Sequence, residues 1–269
     1  AEGSSAHRLG DAGSVRSTVG ATGPHDCAAG PSGPACPTGA VNPDPCEPGA
    51  YTGSASQPIC DACAAGTFQN ASGMSACVDC PAGSSCLARA SAPTECSPGA
   101  YASTRGLSVC ASCTAGTYQS LRGATVCAEC VAGSYCEEGS SAPTACDSGS
   151  FRSSTGGASQ SDCAQCPAGS ACPQGAVSPT VCAPGTIASS GGMSSCTRCA
   201  AGTYQELDGS TACVACPAGS HCAEGSRAHI LCDAGSFRST VGATGPHDCA
   251  AGPAVSYNTL RAHATDSKR

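Results

Sequence analysis

CSPGAYASTRGLSVCASCTAGTYQSLRGATVCAECVAGSYCEEGSSAPTA, residues 96 to 145, holds six cysteines in the pattern C-x13-C-x2-C-x13-C-x2-C-x5-C-x9. The pattern already stands fifty residues earlier, at Cys46, Cys60, Cys63, Cys77, Cys80 and Cys86, against Cys96, Cys110, Cys113, Cys127, Cys130 and Cys136 here. It returns at Cys182, Cys196, Cys199, Cys213, Cys216 and Cys222. Between these lies a shorter copy, Cys146, Cys163, Cys166 and Cys172, which lacks the first C-x13-C-x2 segment and gains three residues before Cys163. A fixed period of this kind marks a linear array of small units, each packed only on its neighbours.

Composition says what must hold such an array together. Leu, Ile, Val and Phe number 25 among 269 residues, too few for an ordinary core, while a net charge of -7 is too low for a chain kept open by repulsion. The 26 cysteines replace the missing core with covalent bridges, as in small secreted scaffolds. The expected fold is a small disulfide-rich repeat array: an elongated rod or superhelix of short β-hairpins and turns, with little regular secondary structure and no large hydrophobic core. Glycines three residues after an opening cysteine (Gly49, Gly66, Gly99, Gly116, Gly149, Gly185, Gly202, Gly235) suit a tight turn, and a second set (Gly73, Gly106, Gly123, Gly192, Gly209) suits hairpin tips. Seven of the nine aromatic residues follow the first set by two positions, among them Tyr51, Phe68 and Phe151, where a ring can pack on a neighbouring bridge.

Six cysteines allow fifteen connectivities, and the damaged end copies choose among them. At the start, Gly10 and Gly30 replace two cysteines while Cys27 and Cys36 remain; at the end Cys232 and Cys249 remain and Gly252 replaces the next. Joint loss of two positions reads as loss of one bridge. Each fifty-residue unit then splits into a one-bridge and an interlocked two-bridge module: Cys46 with Cys60, Cys63 with Cys80, Cys77 with Cys86. The same rule gives Cys96 with Cys110, Cys113 with Cys130, Cys127 with Cys136, Cys146 with Cys166, Cys163 with Cys172, Cys182 with Cys196, Cys199 with Cys216 and Cys213 with Cys222. Cys27 with Cys36 and Cys232 with Cys249 complete the set. A Cys63 to Cys77 linkage would overturn this pairing.

The motifs C-x-x-C-P-A-G-S-x-C (Cys77 to Cys86, Cys163 to Cys172, Cys213 to Cys222) and C-x-A-G-T-[YF]-Q (Cys63 to Gln69, Cys113 to Gln119, Cys199 to Gln205) occur together. In this the chain resembles the ephrin-receptor-like cysteine-rich repeats of protist, algal and animal surface proteins. Those repeats are related in pattern to the tumour-necrosis-factor-receptor cysteine-rich domain. The resemblance spans residues 10 to 252, departs at Gly10, Gly30 and Gly252, and implies stalks, matrix components, adhesins or receptor ectodomains.

The remaining chemistry is sparse. Paired C-x-x-C motifs approach zinc-ribbon spacing, but a four-coordinate metal would leave two cysteines of each six unused. The expected cofactor list is therefore empty, with no catalytic or metal-binding residue and no enzyme activity. The histidines form no ligand pattern, and acidic residues are scattered apart from Glu137 and Glu138. Lys268 is the only lysine and the arginines form no basic run, so nothing marks a nucleic-acid partner. No stretch approaches the roughly 20 apolar residues of a membrane span, so no direct membrane insertion is expected of this segment. Asn70-Ala71-Ser72 is a glycosylation sequon on an expected hairpin tip. The chain starts at Ala1 without a methionine and reads as a mature product or an excised segment.

The copies divide as 1–45 (degenerate), 46–95, 96–145, 146–181 (short), 182–231, 232–253 (truncated) and 254–269 (tail). Residues 11 to 31 and 233 to 253 differ only at Val15 against Phe237, which records a recent duplication or, alternatively, offers an end-to-end interface. The expected product is an extracellular or cell-surface glycoprotein. Its expected role is structural, in a filament, ciliary hair, wall or matrix, joining head to tail with its own copies or with other matrix proteins. The alternative is the stalk or ligand-binding ectodomain of a receptor or adhesin.

Overall fold

In the computed structural model, residues 45–53 and 59–251 are described in full, together with the backbone strands Ser14–Arg16, Cys27–Ala29, Pro34–Ala35 and Asp44–Pro45. They form antiparallel two-stranded hairpins and no α-helix; the helical residues are two single 3-10 turns, Gln160–Asp162 and Pro246–Asp248. A representative hairpin pairs Thr117–Tyr118 with Ala128–Glu129, two residues a side. Strands this short have no stability of their own; from Cys46 on, a bridge ties each opening cysteine to the next cysteine along the chain.

That bridge is where the structure corrects the interlocked pairing. The described bridges join neighbouring cysteines in sequence order: Cys46–Cys60, Cys63–Cys77, Cys80–Cys86, Cys96–Cys110, Cys113–Cys127 and Cys130–Cys136. The series continues with Cys146–Cys163, Cys166–Cys172, Cys182–Cys196, Cys199–Cys213, Cys216–Cys222 and Cys232–Cys249. The expected links of Cys63 to Cys80, Cys77 to Cys86, Cys113 to Cys130, Cys127 to Cys136, Cys146 to Cys166, Cys163 to Cys172, Cys199 to Cys216 and Cys213 to Cys222 are absent. The reason lies in the C-x-x-C step. Its two middle residues, such as Val78–Asp79, are the return strand of one hairpin, and side chains three apart on an extended segment point to opposite faces. The first cysteine therefore turns back to its own hairpin and the second forward to open the next. The pair Cys27 and Cys36 lies outside the described side chains.

The fifty-residue period is thus three one-bridge hairpins, with openers at Cys46, Cys63 and Cys80, seventeen residues apart. By contacts the chain divides into two units, residues 1–130 with 136–143 and residues 131–135 with 144–269. Within the first, the turn glycine of one hairpin donates its N–H to the sixth residue after the next opener: Gly49 to Gln69 O at 2.8 Å, Gly66 to Cys86 O at 2.8 Å, Gly83 to Ala102 O at 2.9 Å. A return bond runs from the tip to the preceding opener, as from Gly73 N–H to Cys46 O at 2.8 Å. The second unit repeats both bonds, with Gly149 to Cys172 O at 2.8 Å and Gly192 to Cys166 O at 2.8 Å. Within each unit, described hairpins are therefore hydrogen-bonded to the next through main chain, which leaves their loop side chains free to differ.

Gly66 shows the packing limit. Its φ is +91°, and a Cβ there would overlap the carbonyl of Gly106, two hairpins on. The core is sulfur and small side chains. The openers from Cys46 to Cys216 are at most 1% exposed, and Ala102, Ala188 and Thr52 are fully buried, whereas Ile59, Leu121 and Leu207 are each 69% exposed. Where a ring meets the core it meets a bridge, as the sequence anticipates: Phe151 packs on Cys166, Cys172 and Ala176.

Candidate functional site

The sixth residue after each opener decides what kind of loop the hairpin carries. From Gln69 to Arg238 its backbone carbonyl receives the glycine bond, so its side chain is held in the same place each time. In the short hairpins it is itself the closing half-cystine, Cys86, Cys136, Cys172 or Cys222. In the hairpins opened by Cys46, Cys96 and Cys182 it is the buried Thr52, Ala102 or Ala188.

In the hairpins opened by Cys63, Cys113 and Cys199 the residue is glutamine, and it brackets the tip from inside. Gln69 Nε2 donates to Ala76 O at 2.7 Å and its Oε1 accepts from Ala71 N–H at 3.1 Å. Gln119 repeats this with Val126 O at 2.7 Å and Leu121 N–H at 2.9 Å, and Gln205 with Ala212 O at 2.8 Å and Leu207 N–H at 3.0 Å. The bracket holds the following residues outward. Asn70 stands there, exposed, as do the apolar Leu121 and Leu207.

In the long loops closed at Cys163 and Cys249 the sixth residue is arginine. Arg152 donates from Nη1 to Asp162 O and from Nη2 to Thr155 O, each at 3.0 Å. Asp162 Oδ2 accepts from the N–H groups of Ala158 at 2.7 Å and Ser159 at 3.2 Å, and these bonds lower its pKa. In the second loop Asp248 Oδ2 accepts from Thr244 N–H at 2.7 Å and Thr244 Oγ1 at 2.8 Å, with Arg238 Nη1 3.5 Å from Oδ1. The Thr244 backbone bond is the largest cause holding the Asp248 carboxyl down at about 2. The motif carrying Gln69, Gln119 and Gln205 is visible in the sequence, but the bracket is not, and the arginine-aspartate buckle escaped notice because its partners lie ten residues apart.

One histidine departs from a bland surface position. His229 meets Tyr204 edge to face, with ring centroids 5.3 Å apart, and its Nδ1 lies 3.9 Å from Glu206 Oε1. A groove of about 340 Å3 runs along Leu87, Thr94, Ala100 and Val109. The cysteines of each described C-x-x-C motif enter two different bridges, so a zinc-ribbon ligand set does not form from them. No group of three histidine, cysteine or acidic side chains among the described residues is placed to hold a metal.

The segment from Gly185 to Ser226 joins a glutamine-bracketed hairpin, Cys199–Cys213, to a short one, Cys216–Cys222. Residues 185–226 match the tyrosine-protein kinase ephrin type A/B receptor-like family. The repeated array of disulfide-bonded units is consistent with cysteine-rich ephrin-receptor-like repeats. No curated protein matches the chain. Ephrin-receptor-like repeats are non-catalytic extracellular domains, and with the bridges they point to an extracellular or surface protein. No described helix is long and apolar enough to cross a membrane.

Proposed function

We propose that this chain is a structural segment of an extracellular filament, ciliary hair, wall or matrix, built to repeat a covalently stapled hairpin along its length. The observation behind this reading is the main-chain bonding from one hairpin to the next, which repeats within each unit while the loop contents change. Such a design puts its repeated chemistry into attachment of one hairpin to the next and leaves the loop contents free to vary. Copies 46–95, 96–145 and 182–231 are its full periods, 146–181 is a short one, and 1–45, 232–253 and 254–269 are the ends. The exposed Asn70 carries an N-linked glycan in this reading, and the chain associates with its own copies or with other matrix proteins.

Immunogold labelling of the native cell surface tests it. Label spaced along filaments or matrix is expected; label confined to the plasma membrane would replace it with the second reading, a receptor or adhesin ectodomain. That second reading is favoured by the ephrin-receptor-like match and by the groove along Leu87 and Val109, and it predicts a soluble ligand blocked by charge placed at Val109. Mass spectrometry of the peptide bearing Asn70, before and after enzymatic removal of N-glycans, tests the sequon separately.

A further inference from the structure

Two pockets in the first unit are built from the same positions of the repeat, fifty residues apart. One is walled by Tyr51, Ala64, Thr67, Ala76 and Cys77 and holds about 250 Å3; the other is walled by Tyr101, Thr114, Thr117, Val126 and Cys127 and holds about 180 Å3. In each, the tyrosine comes from one hairpin and the other wall residues from the next. The pockets therefore open at the seams where Gly49 N–H bonds Gln69 O at 2.8 Å and Gly99 N–H bonds Gln119 O at 2.7 Å. The second is smaller because Thr114 and Val126 stand where the first has Ala64 and Ala76. Both hairpins around the Tyr101 pocket are described from end to end.

The walls combine an aromatic ring with acceptor oxygens. Thr67 Oγ1 donates to Ala64 O at 2.9 Å and Thr117 Oγ1 to Thr114 O at 2.7 Å. Each hydroxyl hydrogen is thereby used within the turn, and the oxygen is left to accept. Tyr51 and Tyr101 are half-buried, and among the described residues their hydroxyls have no hydrogen-bond partner and their rings meet no other ring. Rings elsewhere are occupied: Phe151 packs on Cys166, Cys172 and Ala176, and Tyr204 meets His229. No wall residue carries a charge. A fitting ligand is therefore uncharged, lays an apolar face on the tyrosine, donates to the threonine oxygen and accepts from the phenol. A neutral sugar ring does all of this with its C–H face and its hydroxyls. A proline ring offers the face but has no N–H or O–H for the threonine, and an anionic glycan meets a chain of net charge -7. The volumes correspond to about six to eight waters at about 30 Å3 each. They fall below the roughly 300–1,000 Å3 of pockets that enclose a whole drug-sized molecule, which suits one ring of a longer ligand.

We propose that the Tyr51 and Tyr101 pockets bind a neutral polysaccharide, each seating one pyranose ring of it against the tyrosine. One small open pocket holds a sugar weakly, whereas a polymer that engages both gains from the effective concentration of its second ring. In the third full copy the same positions are Ile187, Ala200, Thr203, Ala212 and Cys213. The tyrosine is gone there, and this copy is not expected to bind. Such a partner goes beyond the protein contacts of a filament or matrix and does not require that reading.

Affinity electrophoresis of the full, disulfide-bonded chain tests this, in native gels containing a soluble β-glucan, a mannan, a galactan or, as the charged counterpart, polygalacturonate. Retardation is expected in at least one neutral gel and not in polygalacturonate, and Y51A/Y101A is expected to migrate unretarded. A76E/V126E keeps both tyrosines and puts charge on exposed wall positions; it is expected to lose retardation too, with an unchanged melting temperature, so a folding defect in the tyrosine variant does not decide the result. No retardation by any of the three neutral polymers, equal retardation by polygalacturonate, or retardation that survives in either double variant would overturn the proposal. So would calorimetric binding of a polyproline peptide that the same variants abolish. None of these outcomes bears on whether the array labels filaments or membrane, so the two readings fail separately.

Discussion

Arg89 occupies a position meant for glycine. It lies three residues after Cys86 with φ +63°, the one non-glycine at positive φ among the described residues. Its counterparts in the later short hairpins are Gly139, Gly175 and Gly225, with φ of 74°, 74° and 71°. A β-carbon in the left-handed region costs about 1–2 kcal/mol, partly offset by the roughly 0.5–1 kcal/mol of extra chain entropy that glycine loses on folding. Arg89→Gly is therefore expected to stabilise that hairpin by about 0.5–1 kcal/mol, read as slower amide exchange at Arg89, whose N–H bonds Cys63 O at 2.9 Å. Gly66→Ala has the opposite sign and a larger size, about 2 kcal/mol or more, because strain adds to collision with a backbone carbonyl. Faster exchange at Gly106 and Gly66 would register it; no change would refute the close packing of alternate hairpins.

At the scale of the hairpin, the loops closed at Cys163 and Cys249 hold a titratable latch that the others lack. The folded Asp248 carboxyl is lowered from 3.8 to about 2, chiefly by the Thr244 N–H. A depressed carboxyl contributes stability that is fully present above its unfolded value and lost as pH falls through the folded one. The loop between Arg238 and Cys249 is thus expected to open between about pH 4 and pH 2, with Thr244 N–H exchange rising as it does. D248N should abolish that pH dependence, while the glutamine-bracketed tips, which have no carboxylate in the bracket, should not respond. The glutamine motif was legible in the sequence as a repeated string. Its role was not, because a bracket is defined by two loop main-chain groups that only the hairpin's closure brings to the same side chain.

Across the whole molecule, stability is distributed over closed loops. In the chain-entropy description a bridge spanning about 15 residues contributes roughly 3 kcal/mol and one spanning about 7 roughly 2 kcal/mol. The separations here are 14 for Cys113–Cys127 and 6 for Cys130–Cys136. C113S/C127S is therefore expected to loosen its hairpin more than C130S/C136S, with protection reduced in the adjacent hairpins and retained farther along the array. Exchange mapped by mass spectrometry decides this, and uniform loss along the chain would contradict coupling confined to nearby hairpins. Full reduction should unfold all hairpins, since buried area is too small to hold them. By itself the sequence determined that cysteine replaces a core, that turns recur on glycines such as Gly49 and Gly73, and that rings such as Phe151 sit by bridges, because spacing and composition act locally. Only the tertiary structure decided which cysteines pair. A C-x-x-C string is compatible with both linkages until the return strand between its cysteines turns them to opposite faces.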